Sequence, residues 1–469
     1  MHIHILGICG TFMGGLALIA RAAGHRVTGC DQGVYPPMST QLQEQGIELI
    51  EGFGVEQLEL QPDIYVIGNI VARGNPLMEA ILDQGLPYTS GPQWLGDHVL
   101  RQQHVLAVAG THGKTTTSAM LAWILRHAGY DPNFLIGGVA HDLQVSAHYD
   151  PQGRYFVIEA DEYDTAFFDK RSKFLHYHAR TAILNNLEFD HADIFPDLAA
   201  IETQFHHFVR TLPQSGLILR PADSPALDRV LQQGCWSPIT LLDDSSGWHY
   251  QWAAADQLRI YYQNELQGEI QWSLQGEHNA RNALAAIAAS QHVGITAEQA
   301  CAALSDFQGI KRRMEHLATI NHIRVFDDFA HHPTAITTTL EGARRQMGGT
   351  GRLIAVLEPR SNTMRDGVMA EDLVHALAHA DLSFCYQETQ GKHALKWKAS
   401  EVLAPLGERL QVATSIEGLA RQLAEGAQPN DWIVIMSNGH FGGIHQQVVG
   451  LLQQRFKGQT PASTLSQED

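Results

Sequence analysis

Residues 105–129 read VLAVAGTHGKTTTSAMLAWILRHAG and carry the strongest structural signal of the chain. Val105–Ala109 is a short apolar run typical of a buried strand, and Thr115–Ala128 carries apolar residues at helical spacing. A glycine-rich turn before Lys114 separates them. Backbone N–H groups of such a turn converge on phosphate, and the helix N-terminus adds partial positive charge. The stretch therefore predicts a strand–turn–helix unit that binds phosphate.

We expect Lys114 to reach the β- and γ-phosphates of a nucleoside triphosphate and the Thr115 hydroxyl to bind Mg²⁺. The usual P-loop has a glycine six residues before its lysine, where this chain has Val108, so the loop is a variant. The alternative is a glycine-rich turn without chemistry. The candidate ATP-binding residues of this stretch are Gly110, Thr111, His112, Gly113, Lys114, Thr115 and Thr116.

Two acidic stretches follow further predicted strands. YFVIEADEYD, residues 155–164, places four carboxylates after an apolar run: Glu159, Asp161, Glu162 and Asp164. TAILNNLEFDHADIF, residues 181–195, ends in polar residues that include His191. Mg²⁺ takes oxygen ligands and would relieve the repulsion between such carboxylates, whereas the alternative is a solvated acidic loop. Because ligands of open α/β sheets bind at the carboxyl ends of strands, we expect these loops to converge.

The N-terminal stretch HILGICGTFMGGLALIARAAGHRVTGCD, residues 4–31, predicts a strand, a glycine-rich turn, a helix and a second strand that ends at Asp31. Its dinucleotide fingerprint is broken, since Cys9 and Phe12 stand where glycines are required, and this disfavours NAD. A nucleotide or sugar-nucleotide phosphate is expected at the helix N-terminus, with Asp31 at a ribose hydroxyl. The glycines of this candidate UDP-sugar site are Gly7, Gly10 and Gly14.

The alternation of strands and helices along the chain predicts an α/β protein. Strand–turn–helix units begin afresh near His2, His104 and Ile323, which indicates three domains. We expect them at residues 1–103, 104–312 and 313–457, followed by a disordered tail at 458–469 that has little to bury.

Composition excludes several classes of protein. The chain has 469 residues and a formal net charge of −18, the opposite of what a general nucleic-acid binder needs. No apolar run is long enough to predict a membrane span, and the N-terminus lacks the features of a signal peptide. Five scattered cysteines indicate a reducing compartment. We therefore expect a cytoplasmic protein with no nucleic-acid partner and no membrane insertion; the sequence does not fix its oligomeric state.

Six motifs occur in an order that resembles the Mur ligases, the ATP-dependent amide-bond ligases of peptidoglycan synthesis. They are GTHGKTTT, EADEYD, NNLEFDH, GEHNARNA, KRRMEH and DDFAHHPTA, and the resemblance spans roughly residues 1–445. It implies three domains: a Rossmann-like UDP-binding domain, a central P-loop ATPase domain with a mainly parallel sheet, and a C-terminal Rossmann-like α/β domain that binds the acceptor. The implied cofactors are ATP and Mg²⁺.

Narrower matches at LGICGTFMGGLA, IGNIVARGNP and LEPRSNTM resemble one branch of this family. That branch joins UDP-N-acetylmuramate to the tripeptide L-alanyl-γ-D-glutamyl-meso-diaminopimelate in peptidoglycan recycling, through an acyl phosphate and with release of ADP and phosphate. The runner-up is the biosynthetic branch that adds L-alanine to the same UDP-sugar. A nucleotide-binding dehydrogenase would need the missing fingerprint, and a non-catalytic regulator would be expected to lose Lys114 or the acids.

The resemblance also implies roles for single residues. Glu159 and His191 would bind the metal with Thr115, and Asn279 and Asn282 would face the adenine. The alternative for the two asparagines is a helix cap and a surface position. Arg313 and Asp328 would be catalytic residues of the C-terminal part, although Arg313 has the alternative of a charge in a linker. Several Mur ligases use a carbamoylated lysine beyond the metal-binding histidine, but this chain has no lysine between Lys173 and Lys311, which excludes that mechanism.

Acceptor recognition is expected in two loops that follow predicted strands of the C-terminal domain. One contains Arg360, after Leu353–Leu357, and the other contains Ser437 and Asn438. The tripeptide brings carboxylates that L-alanine lacks, and the planar arginine side chain binds a carboxylate through two hydrogen bonds. Arg360 is therefore the predicted reader of the acceptor, with an ATP phosphate or an inter-domain contact as its competing role.

Overall fold

The computed structural model describes residues 1–34, 38–192, 194–254, 256–272, 276–391 and 394–457, so the predicted tail at 458–469 lies outside the described residues. The chain forms two compact units. The first consists of Met1–Asp190, Ile194–Leu274 and His278–Ile310. The second consists of the described residues among His191–Asp193, Gln275–Glu277 and Lys311–Asp469.

The first unit begins with a parallel sheet in the order β3-β2-β1-β4-β5. Its strands are β1 (His2–Leu6), β2 (Arg26–Asp31), β3 (Glu48–Glu51), β4 (Ile64–Ile67) and β5 (Tyr88–Ser90). The helices of this part are α1 (Thr11–Ala22), α2 (Met38–Glu44), α3 (Pro76–Asp83) and α4 (Gly91–His98). Because the order reverses at β1, the turn after β1 lies at the switch point where such sheets bind ligands.

A second, larger sheet of the first unit has the order β17-β16-β15-β14-β13-β12-β6-β9-β7-β8. Its strands are β6 (His104–Ala109), β7 (Asn133–Leu135), β8 (Ala147–His148), β9 (Tyr155–Ala160), β12 (Thr181–Leu184), β13 (Leu217–Pro221), β14 (Ile239–Leu242), β15 (Trp248–Ala254), β16 (Gln257–Tyr262) and β17 (Glu265–Gln271). A separate hairpin is formed by β10 (Asp164–Ala166) and β11 (Asp169–Ser172). The helices are α5 (Lys114–His127), α6 (Leu198–Val209), α7 (Pro225–Gln232), α8 (Glu277–Gln291) and α9 (Ala297–Ser305).

The strand order of this sheet places the predicted loops side by side. β6 pairs in parallel with β9 on one side and with β12 on the other. The glycine-rich turn follows β6, the EADEYD motif begins in the last two residues of β9 and continues beyond it, and the NNLEFDH motif follows β12. The carboxyl ends of parallel strands meet at one edge of a sheet, so the predicted convergence follows directly from β6 being the central strand.

The two sheets of the first unit share one hydrophobic cluster. It contains Leu16 of α1 and Trp94 of α4 together with Phe156 of β9 and Phe205 of α6, all buried. Gly15 of α1 also lies close to Leu135, where an added Cβ would be 2.3 Å from the leucine side chain. The turn after β1 is therefore part of the same compact unit as the glycine-rich turn after β6.

The second unit contains a sheet in the order β18-β19-β23-β20-β21-β22, in which only the β18–β19 pair is antiparallel among the described strands. Its strands are β18 (Glu315–Ile320), β19 (Ile323–Asp328), β20 (Leu353–Leu357), β21 (Leu382–Tyr386), β22 (Leu410–Ala413) and β23 (Trp432–Met436). The helices are α10 (Pro333–Met347), α11 (Asn362–Asp366), α12 (Asp372–Leu377), α13 (Ala399–Val402), α14 (Ile416–Gly426) and α15 (Ile444–Arg455). Buried residues line both faces of this sheet, as expected for an α/β layer structure.

The α/β class and the mainly parallel sheets predicted from the sequence are confirmed. The predicted strand Leu353–Leu357 has the bounds observed for β20, and the helix predicted over Thr115–Ala128 is shifted by one residue. The domain boundaries after residues 103 and 312 stay predictions. In the described part of the chain, no helix combines the length and apolar character needed to cross a bilayer.

Packing between the two parts of the first unit yields a stability prediction. Gly96 of α4 faces the short helical turn Lys173–His176, and a Cβ at Gly96 would lie 2.1 Å from the carbonyl oxygen of His176. We expect Gly96→Ala to lower the free energy of unfolding by about 1–3 kcal/mol, the usual effect of forcing extra volume into a packed site. Denaturant unfolding followed by circular dichroism measures the change.

Gly450→Ala is the matched control, since Gly450 is also helical but an added Cβ there would meet open space. This control should be neutral or stabilising by about 0.5–1 kcal/mol, because alanine has the higher helix propensity. Equal stability of the Gly96→Ala variant and the wild type would contradict the packing assigned to α4.

Candidate active site

The turn after β6 takes a conformation that glycine alone adopts readily. Gly110 has φ of +136° and Gly113 has φ of +78°, and α5 begins directly after Gly113. Gly113 is the N-cap residue, and within the described chain no side chain caps this helix. The first turn of α5 contains Lys114, Thr115 and Thr116. The turn thus presents a helix N-terminus and flanking backbone N–H groups, the arrangement that binds phosphate elsewhere.

Two asparagines after β12 hold this turn in place. The backbone N–H of His112 donates to Oδ1 of Asn186 (2.7 Å), and Nδ2 of Asn186 donates to the carbonyl oxygen of His112 (3.1 Å). Nδ2 of Asn185 donates to Oγ1 of Thr117 in α5 (3.0 Å). Thr111 is bound to the same loop, since its hydroxyl accepts from the N–H of Glu188 (2.8 Å). The sequence places both asparagines directly after a predicted strand, but it does not indicate their partners in the turn.

Asn282 contributes to the same arrangement from α8. It is buried, and its Oδ1 accepts a hydrogen bond from Oγ1 of Thr117 (3.1 Å). A Cβ at Gly113 would lie 2.4 Å from this oxygen, so Asn282 and Gly113 are closely packed. Asn282 therefore helps to hold the glycine-rich turn, and the adenine contact implied for it stays a prediction. Asn279 lies in the first turn of α8, half-buried, and its predicted role is likewise untested.

The Lys114 ammonium lies among acidic groups. Its Nζ donates to the carbonyl oxygen of Gly110 (2.7 Å) and to the carboxylate of Glu162 (3.1 Å), and it lies 3.9 Å from Asp161. Burial acts to lower the pKa of Lys114, but the charges of Glu162, Asp161 and Glu159 outweigh burial, so this pKa is raised above its usual value. The ammonium is therefore a permanent positive charge, as a group that offsets phosphate charge must be.

Two of the three predicted metal ligands are in contact. Oγ1 of Thr115 donates to both oxygens of Glu159 (3.0 and 3.1 Å), and the N–H of Gly137 donates to Oε2 of Glu159 (2.7 Å). A hydroxyl and a carboxylate so placed are oxygen donors of the kind that Mg²⁺ prefers. His191 belongs to the second compact unit and has a left-handed backbone, with φ of +56°. Its predicted place beside Glu159 stays a prediction.

The turn after β1 is held by Asp31 at the end of β2. Asp31 is buried, and its two oxygens accept from the N–H groups of Cys9 (2.9 Å) and Gln32 (2.7 Å). Gly7 has φ of +82°, and Gly10 is the N-cap of α1, so both lie in the turn as predicted. Gly14 packs against Met38, whose sulfur would be 2.4 Å from an added Cβ. The assignments of these four residues to UDP-sugar binding stay predictions.

In the second unit, the carboxylate of Asp328, at the end of β19, accepts two hydrogen bonds from backbone N–H groups. The donors are the N–H groups of Met314 and Ala330, both at 2.8 Å. Burial raises the pKa of Asp328, although the nearby Arg313 charge opposes the shift. Arg313 itself stacks over the ring of Phe329, with its guanidinium carbon 5.3 Å from the ring centroid. The two predicted catalytic residues are thus joined through one short segment, residues 312–314.

Arg312, to which the motifs assigned no role, links this segment to the end of β23. Its Nη2 donates to the carbonyl oxygens of Ser437 and Gly439, both at 2.8 Å, and its Nε donates to Asp327 (3.1 Å). Burial would raise the pKa of Asp327, but His445 and Arg312 outweigh burial and lower it. The backbone of Arg312 is left-handed, with φ of +60°, which is uncommon for a residue other than glycine and which the sequence does not indicate.

The predicted acceptor residues lie together in the second unit. Oγ of Ser437 donates to Glu358 (2.5 Å), and Nη1 of Arg360 lies 3.6 Å from the other oxygen of Glu358. Arg360 crosses directly over Gly439, where an added Cβ would be 2.4 Å from its Nε. The Oδ1 atom of Asn438 is buried and has no hydrogen-bond partner among the described residues. The two loops therefore form one polar cluster; acceptor binding there stays a prediction.

The packing of Gly113 leads to a test of the phosphate loop. We expect Gly113→Ala to weaken nucleotide binding by about tenfold or more, because the new methyl group would displace Asn282 and distort the turn. Gly129→Ala is the matched control, since Gly129 also has a left-handed backbone, with φ of +82°, but is surrounded by open space. Calorimetric titration with ADP measures both. The same loss in the two variants would show that backbone strain, rather than contact with Asn282, is responsible.

Family models match nearly the whole chain. The model described as Mur ligase family, catalytic domain, matches residues 2–103; Mur ligase middle domain matches residues 108–290; and Mur ligase, glutamate ligase domain, matches residues 312–439. The UDP-N-acetylmuramate--L-alanyl-gamma-D-glutamyl-meso-2,6-diaminoheptandioate ligase of Escherichia coli (strain K12) is 52% identical to this chain, covering 97% of the chain and 99% of that protein.

A solved structure and a more distant relative complete the comparison. The murein peptide ligase of Psychrobacter arcticus has a TM-score of 0.74 and 48% identity, with 96% of this chain and 98% of that chain covered. The UDP-N-acetylmuramate--L-alanine ligase of Syntrophomonas wolfei is 30% identical, with 96% of this chain and 97% of that protein covered. The resemblance seen in the six motifs thus extends over the full length, and the chain belongs to the Mur ligase family.

Proposed function

We propose that this protein is an ATP-dependent ligase that joins UDP-N-acetylmuramate to L-alanyl-γ-D-glutamyl-meso-diaminopimelate. The observation that carries the proposal is the 52% identity, over almost the entire chain, to a ligase named for these substrates. The L-alanine ligase of S. wolfei is only 30% identical over a similar share of the chain. We place the reaction in the cytoplasm and in peptidoglycan recycling, where a released tripeptide is joined to a UDP-sugar again.

The reaction has two steps. A lactoyl carboxylate oxygen of the UDP-sugar attacks the γ-phosphorus of ATP, so a P–O bond to ADP breaks and an acyl phosphate forms. The α-amine of the tripeptide then attacks the acyl carbon, phosphate leaves, and the amine loses a proton. Both reactants of the first step are anionic, so catalysis depends mainly on positive charge and on positioning.

The residues around β6 suit the nucleotide side of this reaction. The turn 110–113 would bind the phosphates through backbone N–H groups, and Lys114 would offset their charge once phosphate oxygens replace Glu162 as its partner. Thr115 and Glu159, with His191, would hold Mg²⁺, which would neutralise phosphate charge when bound. The turn after β1 would bind the UDP-sugar at the N-terminus of α1. Arg313, whose guanidinium lies over the ring of Phe329, would supply further positive charge.

The choice of acceptor tests the proposed function. With ATP and UDP-N-acetylmuramate, we expect phosphate release and a product of the summed mass when the tripeptide is added, and turnover at least about a hundredfold slower with L-alanine. Coupled phosphate release and mass spectrometry measure the two outcomes. Efficient use of L-alanine would favour the biosynthetic reaction instead, and no amide product with either acceptor would reject the proposal.

Arg360 provides a second test, because its guanidinium lies in the polar cluster with Glu358 and Ser437. We expect Arg360→Ala to raise the KM for the tripeptide by about tenfold or more, the cost of a lost charge-assisted hydrogen bond, with much smaller changes for ATP and the UDP-sugar. Arg421→Ala, which removes an exposed arginine of α14, is the control. A selective loss for ATP would instead assign Arg360 to phosphate.

A further inference from the structure

Lysine is scarce in the first unit, and its few lysines are concentrated at one motif. Residues 1–310 contain only Lys114, Lys170 and Lys173. Each pairs with a carboxylate of EADEYD: Lys114 with Glu162 (3.1 Å), Lys173 with Asp161 (3.1 Å) and Lys170 with Asp164 (2.5 Å). The Lys170 side chain is 70% exposed, whereas that of Lys173 is 15% exposed. Lys173 is therefore a largely buried cation. Removing a charge from water costs free energy, so we expect this charge to have a function.

Lys173 lies between the phosphate loop and the turn after β1. Its backbone N–H donates to the carbonyl oxygen of Tyr163 (3.1 Å), which fixes the residue beside the acidic motif. Its Nζ lies 5.4 Å from the ring centroid of Tyr163 and 5.9 Å from that of Phe12. Phe12 belongs to the first turn of α1, the helix proposed above to bind the UDP-sugar. An ammonium within about 6 Å of two aromatic faces is held electrostatically without losing its own charge.

Asp161 lies close both to Lys173 and to Lys114, the residue proposed to contact the nucleotide phosphates. One oxygen of Asp161 lies 3.1 Å from Nζ of Lys173, and the other lies 3.9 Å from Nζ of Lys114. The two ammonium groups thus approach different oxygens of one carboxylate. Lys114 begins α5 directly after the glycine-rich turn, whereas Lys173 lies near Phe12 of α1. A lysine has three N–H donors, and Asp161 uses one of those of Lys173. The arrangement provides one cation for each of two neighbouring anions.

We propose that the Lys173 ammonium binds the lactoyl carboxylate of UDP-N-acetylmuramate and holds it facing the γ-phosphate of ATP. This inference rests on the proposed function, in which a carboxylate must approach a triphosphate against charge repulsion. Lys114 serves the phosphates, so the carboxylate needs a cation of its own on the side of α1. In this role Lys173 positions the nucleophile and lowers the repulsion between the two anions.

Two ligands that differ in the lactoyl carboxylate test the proposed contact with Lys173. UDP-N-acetylglucosamine has the uridine, the diphosphate and the amino sugar of UDP-N-acetylmuramate but lacks the lactoyl carboxylate. We expect Lys173→Met to weaken binding of UDP-N-acetylmuramate by about tenfold or more and to leave that of UDP-N-acetylglucosamine within about twofold. Lys170→Met, three positions earlier and also paired with a carboxylate of the motif, should change neither. Isothermal titration calorimetry gives the dissociation constants without turnover.

Several outcomes would overturn the inference. Unchanged affinity of Lys173→Met for UDP-N-acetylmuramate would show that the carboxylate binds elsewhere, and equal losses for both ligands would show a structural role. If Lys173→Met does not fold, Lys173→Gln, which retains a donor for Asp161 without the charge, must show the same selective loss. Failure of the proposed function is a separate result, because it would appear in the wild type as an absence of tripeptide-dependent product.

Discussion

The first unit is organised around a buried ammonium that must stay charged. Lys114 touches a backbone carbonyl and lies within reach of two carboxylates, and their charges outweigh the burial that would otherwise lower its pKa. Such a cluster requires β6 and β9 to be adjacent and parallel, because Lys114 follows one strand and Glu162 follows the other. The same adjacency places Thr115 on Glu159. Strand order, loop conformation and the position of the acidic motif are thus linked by one electrostatic requirement.

The glycine-rich turn depends on neighbours as much as on its own glycines. Gly113 has a backbone that glycine adopts without strain, yet the close approach of Asn282 would exclude a side chain there in any case. Asn186 binds both the N–H and the carbonyl group of His112, so the loop is closed by hydrogen bonds rather than by apolar packing. Those bonds orient the turn and would reduce the ordering cost of the proposed phosphate binding.

Much of this was accessible from the sequence, because the strand–turn–helix pattern around Lys114 is local and strongly periodic. The placement of EADEYD and NNLEFDH followed from the rule that ligand sites form at the carboxyl ends of parallel strands. The roles of Asn186 and Arg312 were not accessible. Asn186 acts through a hydrogen bond to a residue 74 positions away, and Arg312 acts through carbonyl groups of Ser437 and Gly439. Neither contact produces a periodic pattern of residues that sequence analysis could detect.

Acidic residues at the strand ends of this protein have two kinds of partner, backbone N–H groups and lysine ammonium groups. A sequence motif does not distinguish the two. Asp31 and Asp328 each accept an N–H from the residue one or two positions ahead and another from a separate segment. Their carboxylates accept hydrogen bonds from backbone N–H groups of the protein itself and so stabilise the local backbone conformation. Asp161 and Glu162 instead pair with ammonium groups whose charge a ligand can use. An effect of substituting Asp328 would accordingly pass through the segment that carries Arg313, whereas an effect of substituting Asp161 would pass through two ammonium groups.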